Sequence, residues 1–233
     1  MRVRGRCLWF VVSVALTLQS STASPTFGGD VASLRTVKTA YEQEAMGSSA
    51  SFLFQTWREG TDPCIDQWNG VACVIVSPDA DVQRVSDLVL RAEGETFLSG
   101  ALVADIGLLD ALQRLDLSGN QLTGTFPEEI AQLPSLEHLN VSGNRLAGAL
   151  PSFQPNASLE AADLSFNDFS GQLPEAWCGG NFSVRLAGNP RLCGAAPECG
   201  GAEGFPDLLG GLAGTSLAAP GELMNWTCDA SPP

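Results

Sequence analysis

An asparagine recurs at nearly constant spacing through the middle of the chain, each time within the same short pattern. The segments LQRLDLSGNQLTGTFP, LEHLNVSGNRLAGALP and LEAADLSFNDFSGQLP align on Asn120, Asn144 and Asn167. A weaker copy, VRLAGNPRLCG, adds Asn189, so that the successive steps are 24, 23 and 22 residues. A fixed period of this length is typical of a solenoid, in which each repeat contacts only its neighbours. This feature limits the possible folds more than any other.

The residue types within each copy have separate physical roles. Leucines on either side of one residue, such as Leu115 and Leu117, are expected to point inward from a short strand, while the residues between them face outward. The asparagine comes where the chain leaves the strand, and its amide can pair backbone groups that the turn leaves free. Each full copy then has a glycine, suited to a sharp turn, and a proline three residues later. These are Gly124, Gly148 and Gly171, followed by Pro127, Pro151 and Pro174.

An irregular copy precedes these three. Leu98-Ser99-Gly100 aligns with Leu122-Thr123-Gly124 at a step of 24 residues, but the strand from Val85 to Leu90 then comes three residues too early. We therefore expect a three-residue insertion around Glu93 to Phe97. The copy also has Val103 in the place of the proline. Terminal repeats are often irregular, since one side faces a cap.

The N-terminus has the pattern of a secretory signal peptide. Three arginines precede an apolar run from Cys7 to Leu18, and Ser21-Thr22-Ala23 supplies small residues for cleavage. A run of roughly 12 apolar residues is short of the roughly 20 that span a bilayer, so a membrane anchor is the weaker interpretation. We expect cleavage after Ala23 and a soluble, extracellular mature chain, at the cell surface or in the cell wall, without a transmembrane segment or lipid anchor.

The mature chain is expected to be strongly acidic. Removal of the signal leaves nine basic residues against 26 acidic ones, a net charge of −17. Such a surface repels nucleic acid and other polyanions. Solubility outside the cell explains this acidity better than a dedicated site for a basic partner.

Six cysteines remain after signal removal, and an even number in an oxidising compartment predicts three disulfides. They cluster towards the two ends of the chain and are Cys64, Cys73, Cys178, Cys193, Cys199 and Cys228. Six cysteines allow 15 connectivities, and the sequence does not choose among them. A metal site is the poorer alternative, because the one histidine, His138, is far from them in sequence. We expect no cofactor.

The element G-x-[FL]-P resembles the signature of plant-type leucine-rich repeats, as in receptor-like kinase ectodomains and polygalacturonase inhibitors. The N-terminal flank resembles the same family. There, apolar residues at helical spacing predict a helix, with Asp30 as its candidate cap; they are Val31, Leu34, Val37 and Tyr41. Trp57 and DPCIDQWNGVAC resemble the family's N-terminal cap, and GNPRLCGAAPEC resembles its C-terminal cap.

The resemblance covers residues 30–199 and implies an α/β repeat solenoid. It implies a short leucine-rich-repeat arc with a helical, disulfide-stapled N-terminal cap, which holds Cys64 and Cys73, and a C-terminal cap in which Cys193 pairs with Cys199. The expected units are the signal peptide 1–23, the N-terminal cap 24–81, about five repeats with the C-terminal cap 82–199, and a Gly/Ala-rich tail 200–233. We expect the tail to be loosely ordered, with Cys178 and Cys228 as candidates to pin it back.

The sequence does not favour catalysis. Nucleophilic catalysis needs a histidine beside its nucleophile, and only His138 is available, at an outward strand position. Asp116 and Asp163 are outward carboxylates, but they lie two repeats apart, roughly 10 Å at strand spacing, on a face without a water-excluding pocket. No phosphate-binding loop or kinase segment is present in the sequence. We therefore expect a protein that is not an enzyme.

The outward strand positions form the candidate binding face that the resemblance implies. They are Gln113, Arg114, Asp116, Ser118, Glu137, His138, Asn140, Ser142, Glu160, Asp163, Ser165, Ser183 and Arg185. Five short strands about 4.8 Å apart present only roughly 300 Å², against about 800 Å² per partner in a standard interface. The strand face alone is therefore too small for a stable protein complex.

Four N-glycosylation sequons begin at Asn140, Asn156, Asn181 and Asn225. Asn140 is expected to point outward from the central repeat. A glycan there would obstruct the middle of the face and direct recognition to the caps or lateral loops. An unused sequon is an equally weighted alternative.

Three functions fit these features. The leading hypothesis is an extracellular recognition or co-receptor-like module in cell-surface signalling or defence, whose partner is a peptide, an extracellular protein or another receptor ectodomain. The alternative is an inhibitor of a secreted hydrolase, such as a glycosidase, as the resemblance to polygalacturonase inhibitors implies. A third is the truncated ectodomain of a receptor kinase.

Overall fold

A computed structural model describes residues 26–44, 50–76, 82–153, 158–174, 177 and 182–192. These residues form three α-helices, one 3₁₀ helix and eleven strands. The helices are α1 (Gly28–Glu44), α2 (Ala50–Leu53), α3 (Glu128–Ala131) and the 3₁₀ helix Ala104–Leu108. The strands are β1 (Val71–Ile75), β2 (Gln83–Val89), β3 (Ser99–Ala101), β4 (Arg114–Asp116), β5 (Gln121–Thr123), β6 (His138–Asn140), β7 (Ala147–Gly148), β8 (Ala161–Asp163), β9 (Asp168–Gly171), β10 (Ser183–Arg185) and β11 (Arg191–Leu192).

The repeats stack into one large sheet with the strand order β1-β2-β4-β6-β8-β10. β2, β4, β6, β8 and β10 are parallel, whereas β1 pairs antiparallel with β2 at the edge. The middle residue of each three-residue repeat strand points inward, and the register aligns these residues with Leu88 of β2 in one buried apolar row. The row is Leu88, Leu115, Leu139, Ala162 and Val184. The predicted leucine-rich-repeat solenoid is confirmed.

The recurring asparagines form a hydrogen-bonded ladder beside this sheet. The Nδ2 group of Asn144 donates to the carbonyl oxygens of Leu117 and Val141, both at 3.0 Å. Its Oδ1 accepts the N–H of Leu122 at 3.0 Å, so the side chain joins its own repeat to the one before. The same bonds recur, with all four side chains buried, at Asn120, Asn167 and Asn189. The predicted role of the asparagine is confirmed.

The first repeat contains the expected insertion. The N–H of Leu98 donates to Oδ1 of Asn120 at 2.7 Å, the same ladder bond that the next repeat makes 24 residues later. In the large sheet, however, the inward residue of β2 pairs with that of β4 at a step of 27 residues. The extra residues lie in a tight turn, where the backbones of Glu93 and Thr96 exchange hydrogen bonds of 2.9 and 3.0 Å.

Two smaller sheets, β3-β5 and β7-β9-β11, form on the returning half of the repeats. The predicted turn glycine of each full repeat has a positive φ, for example 79° at Gly124 and 88° at Gly148, a conformation that glycine adopts without steric cost. Aromatic rings fill the C-terminal part of the core with centroids within 6.4 Å of one another along the series. They belong to Phe126, Phe153, Trp177 and Phe182.

The N-terminal cap is tied to the first repeat by a buried ion pair. The carboxylate of Asp30 accepts two hydrogen bonds of 3.0 Å from the Arg84 guanidinium and one of 2.9 Å from the N–H of Val85. The prediction that Asp30 caps α1 is therefore wrong, because the helix begins earlier, at Gly28, and the carboxylate is directed to β2. The predicted helix itself is confirmed, with Leu34, Val37 and Tyr41 buried and Val31 partly buried.

A disulfide and a network around Asp62 hold the rest of this cap. Cys64 and Cys73 are bonded, as the resemblance implied. Asp62 accepts hydrogen bonds from the backbone (2.9 Å) and hydroxyl (2.5 Å) of Thr26 and from the N–H groups of Cys64 and Ile65. Burial raises the pKa of this carboxyl, but the hydrogen bonds to its charged form outweigh burial and lower the pKa below its ordinary value of 3.8.

Several predicted features lie outside the described residues. They are the signal peptide 1–23, the tail 200–233, the cysteines Cys178, Cys193, Cys199 and Cys228, and the sequons at Asn156, Asn181 and Asn225. Among the helices within the described ranges, none has the length and apolar character needed to cross a membrane.

The ladder predicts the effect of Asn144→Ala. The substitution leaves the N–H of Leu122 without its acceptor and removes one hydrogen bond from each of two buried carbonyls. We expect the free energy of unfolding to fall by about 2–3 kcal/mol in urea titrations. The exposed neighbour offers a control, Arg145→Ala, which should change it by less than about 0.5 kcal/mol. Equal losses in the two variants would contradict this role of the ladder.

Asp62→Asn should make the free energy of unfolding less dependent on pH in the acidic range. Because the pKa of Asp62 is lower in the folded than in the unfolded chain, its charge stabilises the fold above about pH 4, and this contribution is lost as the pH falls through the lower folded value. We expect the variant to be less stable than wild type at pH 6, with the difference shrinking below pH 4 in urea unfolding at each pH. Glu129→Gln, at an exposed carboxylate, should leave the profile unchanged. Parallel profiles for wild type and Asp62→Asn would count against this assignment.

Candidate binding face

Two rows of side chains point outward from the large sheet, and we call this surface the sheet face. The first row is Asp87, Arg114, His138, Ala161 and Ser183. The second row is Val89, Asp116, Asn140, Asp163 and Arg185. Every residue in both rows is at least partly exposed. The backbone register thus brings together seven residues of the predicted face: Arg114, Asp116, His138, Asn140, Asp163, Ser183 and Arg185.

A shallow depression of about 300 Å³ lies on the sheet face. It extends over β4, β6, β8 and β10, and β8 contributes two alanines, Ala161 and Ala162, where the neighbouring strands carry larger side chains. All seven of the predicted residues above line it. The other predicted positions do not line it: Gln113, Ser118, Glu137, Ser142, Glu160 and Ser165.

Three serines that the alternation assigned to the face are held by local hydrogen bonds instead. Oδ1 of Asp163 accepts the hydroxyl of Ser165 at 2.5 Å and its N–H at 3.1 Å. The same bonds join Asp116 to Ser118 and Asn140 to Ser142. Ser165 is buried and the other two serines are partly buried. The effect is to fix the side chains of Asp116, Asn140 and Asp163, each of which has its Oδ1 already occupied.

Ion pairs across neighbouring strands balance the charge of the sheet face. Arg114 contacts Asp87 at 3.1 Å and Arg185 contacts Asp163 at 3.6 Å. Arg91, which follows β2, contacts Asp116 at 3.5 Å. Asp87 and Arg91 were not predicted, because the candidate positions were taken only from the copies aligned on the recurring asparagine. The overall acidity of the chain is therefore not concentrated on this surface.

The geometry of the sheet face offers charges and hydrogen bonds to a ligand. Nε2 of His138 lies 3.9 Å from Glu160, which is too far for a hydrogen bond. The carboxylates of Asp116 and Asp163 stand on strands separated by β6, with Asn140 between them. Over the residues that the structure describes, no group of three or more His, Cys, Asp or Glu side chains is placed to hold a metal ion.

Two family models match the chain. Residues 28–74 match the leucine rich repeat N-terminal domain, and residues 106–146 match the leucine rich repeat. The leucine-rich repeat receptor-like protein kinase PXC2 of Arabidopsis thaliana is 33% identical over 173 residues. That alignment covers 72% of this chain but only 14% of the kinase, so the chain corresponds to a small part of this relative.

Solved structures of plant receptor ectodomains have the same fold. The leucine-rich-repeat ectodomain of the receptor kinase SOBIR1 from Arabidopsis thaliana is 26% identical, with a TM-score of 0.51, and the match covers 74% of this chain and 99% of that one. A chain of the BIR3–SERK2 complex from the same plant is 28% identical, with a TM-score of 0.57, and the match covers 73% of this chain and 91% of that one.

Asn140 allows the glycosylation hypothesis to be tested without disturbing the strand. In Asn140→Asp the sequon is lost, but the side chain keeps the oxygen that accepts from Ser142, as Asp116 and Asp163 do in the adjacent repeats. Glycopeptide mapping of the secreted wild type should find a glycan at Asn140, and this variant should lack it while keeping its melting temperature within about 2 °C. An unoccupied Asn140 in the wild type would refute the hypothesis that a glycan obstructs the face.

Proposed function

We propose that this leucine-rich-repeat chain, which resembles plant receptor ectodomains, acts outside the cell as a recognition module for a peptide or another receptor ectodomain. Its role is to bind rather than to catalyse, and the sheet face takes part in binding. Its place is at the cell surface or in the cell wall, where the expected signal peptide would deliver it.

The observation that carries this proposal is the match to a whole receptor ectodomain in both architecture and extent. The aligned part of the chain covers 99% of the SOBIR1 ectodomain and 91% of a chain of the BIR3–SERK2 complex. The second of these structures is an assembly of two such proteins. A chain of this size and fold is therefore suited to a shared interface between receptor-like proteins.

The sheet face has the properties of a pre-organised polar surface. The serine hydrogen bonds hold Asp116, Asn140 and Asp163 in place, and the ion pairs leave arginines largely exposed, with 78% of the Arg185 side chain in contact with solvent. Side chains that are already ordered lose little entropy on binding. Charged groups at such a surface favour specificity and association rate more than raw affinity.

A binding screen tests the proposal directly. The secreted chain is immobilised and challenged by surface plasmon resonance with purified leucine-rich-repeat receptor ectodomains and with secreted polygalacturonases. Saturable binding of an ectodomain supports the recognition function. Binding and inhibition of a polygalacturonase, with no ectodomain bound, would support the alternative of a hydrolase inhibitor and contradict the proposal.

A matched pair of charge reversals locates the interface. Glu160→Lys changes an exposed residue beside the sheet face, and Glu128→Lys makes the same change on α3, away from it. We expect the first variant to weaken binding of an ectodomain found in the screen roughly fivefold, the equivalent of about 1 kcal/mol, because it reverses the charge next to His138. The second should match wild type. Equal affinities for all three proteins would place the part of the sheet face around His138 outside the interface.

A further inference from the structure

One aromatic side chain interrupts a row of exposed glycines at the edge of the sheet face. The position three residues after the second outward row is Gly119 in the second repeat, Gly143 in the third and Gly188 in the fifth. Phe166 occupies this position in the fourth repeat, and 66% of its surface is exposed. We call these four residues the ledge.

The backbone at Phe166 has a conformation that suits glycine. The three ledge glycines have φ values of 73°, 67° and 75°, and Phe166 has 54°. A bulky side chain in this region is a steric outlier. Among the described residues one other non-glycine residue has a positive φ, the exposed polar Gln67. Phe166 therefore adopts a disfavoured conformation and also exposes an apolar ring.

The backbone hydrogen bond at this position does not depend on the ring. The N–H of Phe166 donates to the carbonyl of Ala187 at 2.7 Å, and Gly119 and Gly143 make the equivalent bonds to the next repeat at 2.8 and 2.9 Å. Glycine thus provides the same backbone connection. The strained aromatic residue at this place needs a reason other than stability, and unusual backbone conformations of this kind cluster at functional sites.

The ring lies over the bare backbone of the next repeat. A methyl group added to Gly188 would come within 2.5 Å of Cδ1 and 3.0 Å of Cε1 of Phe166. The ring is therefore supported by Gly188, and its remaining surface faces solvent. The adjoining residues Gly143, Ser165 and Ala187 are uncharged. The result is a small apolar platform beside a row that carries Asp163 and Arg185.

The area needed for a specific interface is larger than the outward strand rows, so a partner bound there has to extend onto the neighbouring surface. The outward strand rows supply roughly 300 Å², whereas a specific interface needs about 800 Å² from each partner. The ledge continues directly from the second outward row and carries the exposed aromatic ring of Phe166. Aromatic side chains are enriched among the residues that contribute most of the binding energy of interfaces. A partner that binds the sheet face gains the missing area by extending over the ledge.

We infer that Phe166 anchors an extended segment of the extracellular protein partner, which crosses the strands and rests an apolar side chain on the ring. Polar side chains of the same segment then lie over the second outward row. The exposed glycines let the backbone of the segment approach closely. This inference rests on the proposed function and names the chemistry of the partner and the residue that selects it.

Peptides of defined sequence provide the probe. A phage-displayed library of linear 12-residue peptides is selected on the secreted wild-type chain, and the recovered peptides are synthesised and measured by surface plasmon resonance. Phe166→Gly and Phe166→Asn should each weaken their binding at least tenfold, because a central aromatic contact is lost. The control is Phe52→Ser, at a phenylalanine of α2 that is 63% exposed, and it should change the affinity less than twofold.

A double-mutant test combines a substitution in the peptide with a substitution of Phe166. Replacement of one apolar residue of the peptide by alanine should weaken binding to wild type but cause little further loss with Phe166→Gly. Both Phe166 variants should melt at the wild-type temperature or above it, because glycine and asparagine tolerate the positive φ. A fall of several degrees would show that the ring is structural and would overturn the inference.

The two proposals fail in different ways. Peptides that bind Phe166→Gly as tightly as wild type, but bind Glu160→Lys more weakly, would overturn the role of Phe166 and leave the recognition function standing. A library that yields no binder would count against both proposals.

Discussion

The fold depends on the asparagine ladder. A single repeat is too small to bury its apolar residues, so its stability comes from the repeats beside it. The ladder fixes how those repeats meet, because each amide bonds the backbone of two repeats at once, as Asn144 does through Leu117, Val141 and Leu122. Once this register is set, the inward leucines align in one core and the outward residues align in two rows. The sheet face is thus a consequence of the same bonds that hold the solenoid together.

Features that repeat within the sequence were predictable, and features that join distant segments were not. The roles of Asn144 and Gly124 follow from their periodic positions, and even the insertion near Glu93 was visible as a break in the period. The ion-pair partner of Asp30 was not predictable, because Arg84 is 54 residues away and only the folded chain brings the two together. Arg91 was not predicted, because the candidate positions were taken from the copies aligned on the recurring asparagine, and β2 precedes those copies.

The outward positions show a second limit of periodicity. Strand alternation correctly assigned Asp116 and Asp163 to the sheet face, but it gave the same status to serines such as Ser165, whose side chain is turned back to an aspartate. That local bond was recognisable from the spacing, since an aspartate or asparagine precedes each serine by two residues. The backbone conformation of Phe166 was likewise indicated by its alignment with Gly119 and Gly143. What alignment alone lacked was the exposed ring lying over Gly188.

The serines that hydrogen-bond Asp116, Asn140 and Asp163 have a consequence for how such a surface can diversify. Asp116-Leu117-Ser118 and Asp163-Leu164-Ser165 have the spacing of a sequon and differ from one only in the acid. A single exchange of aspartate for asparagine would preserve the bracing hydrogen bond and create a carbohydrate acceptor in the same step. One substitution in a repeat therefore exchanges a negative charge on this surface for a glycosylation acceptor. The central repeat already has the acceptor, Asn140, at this position.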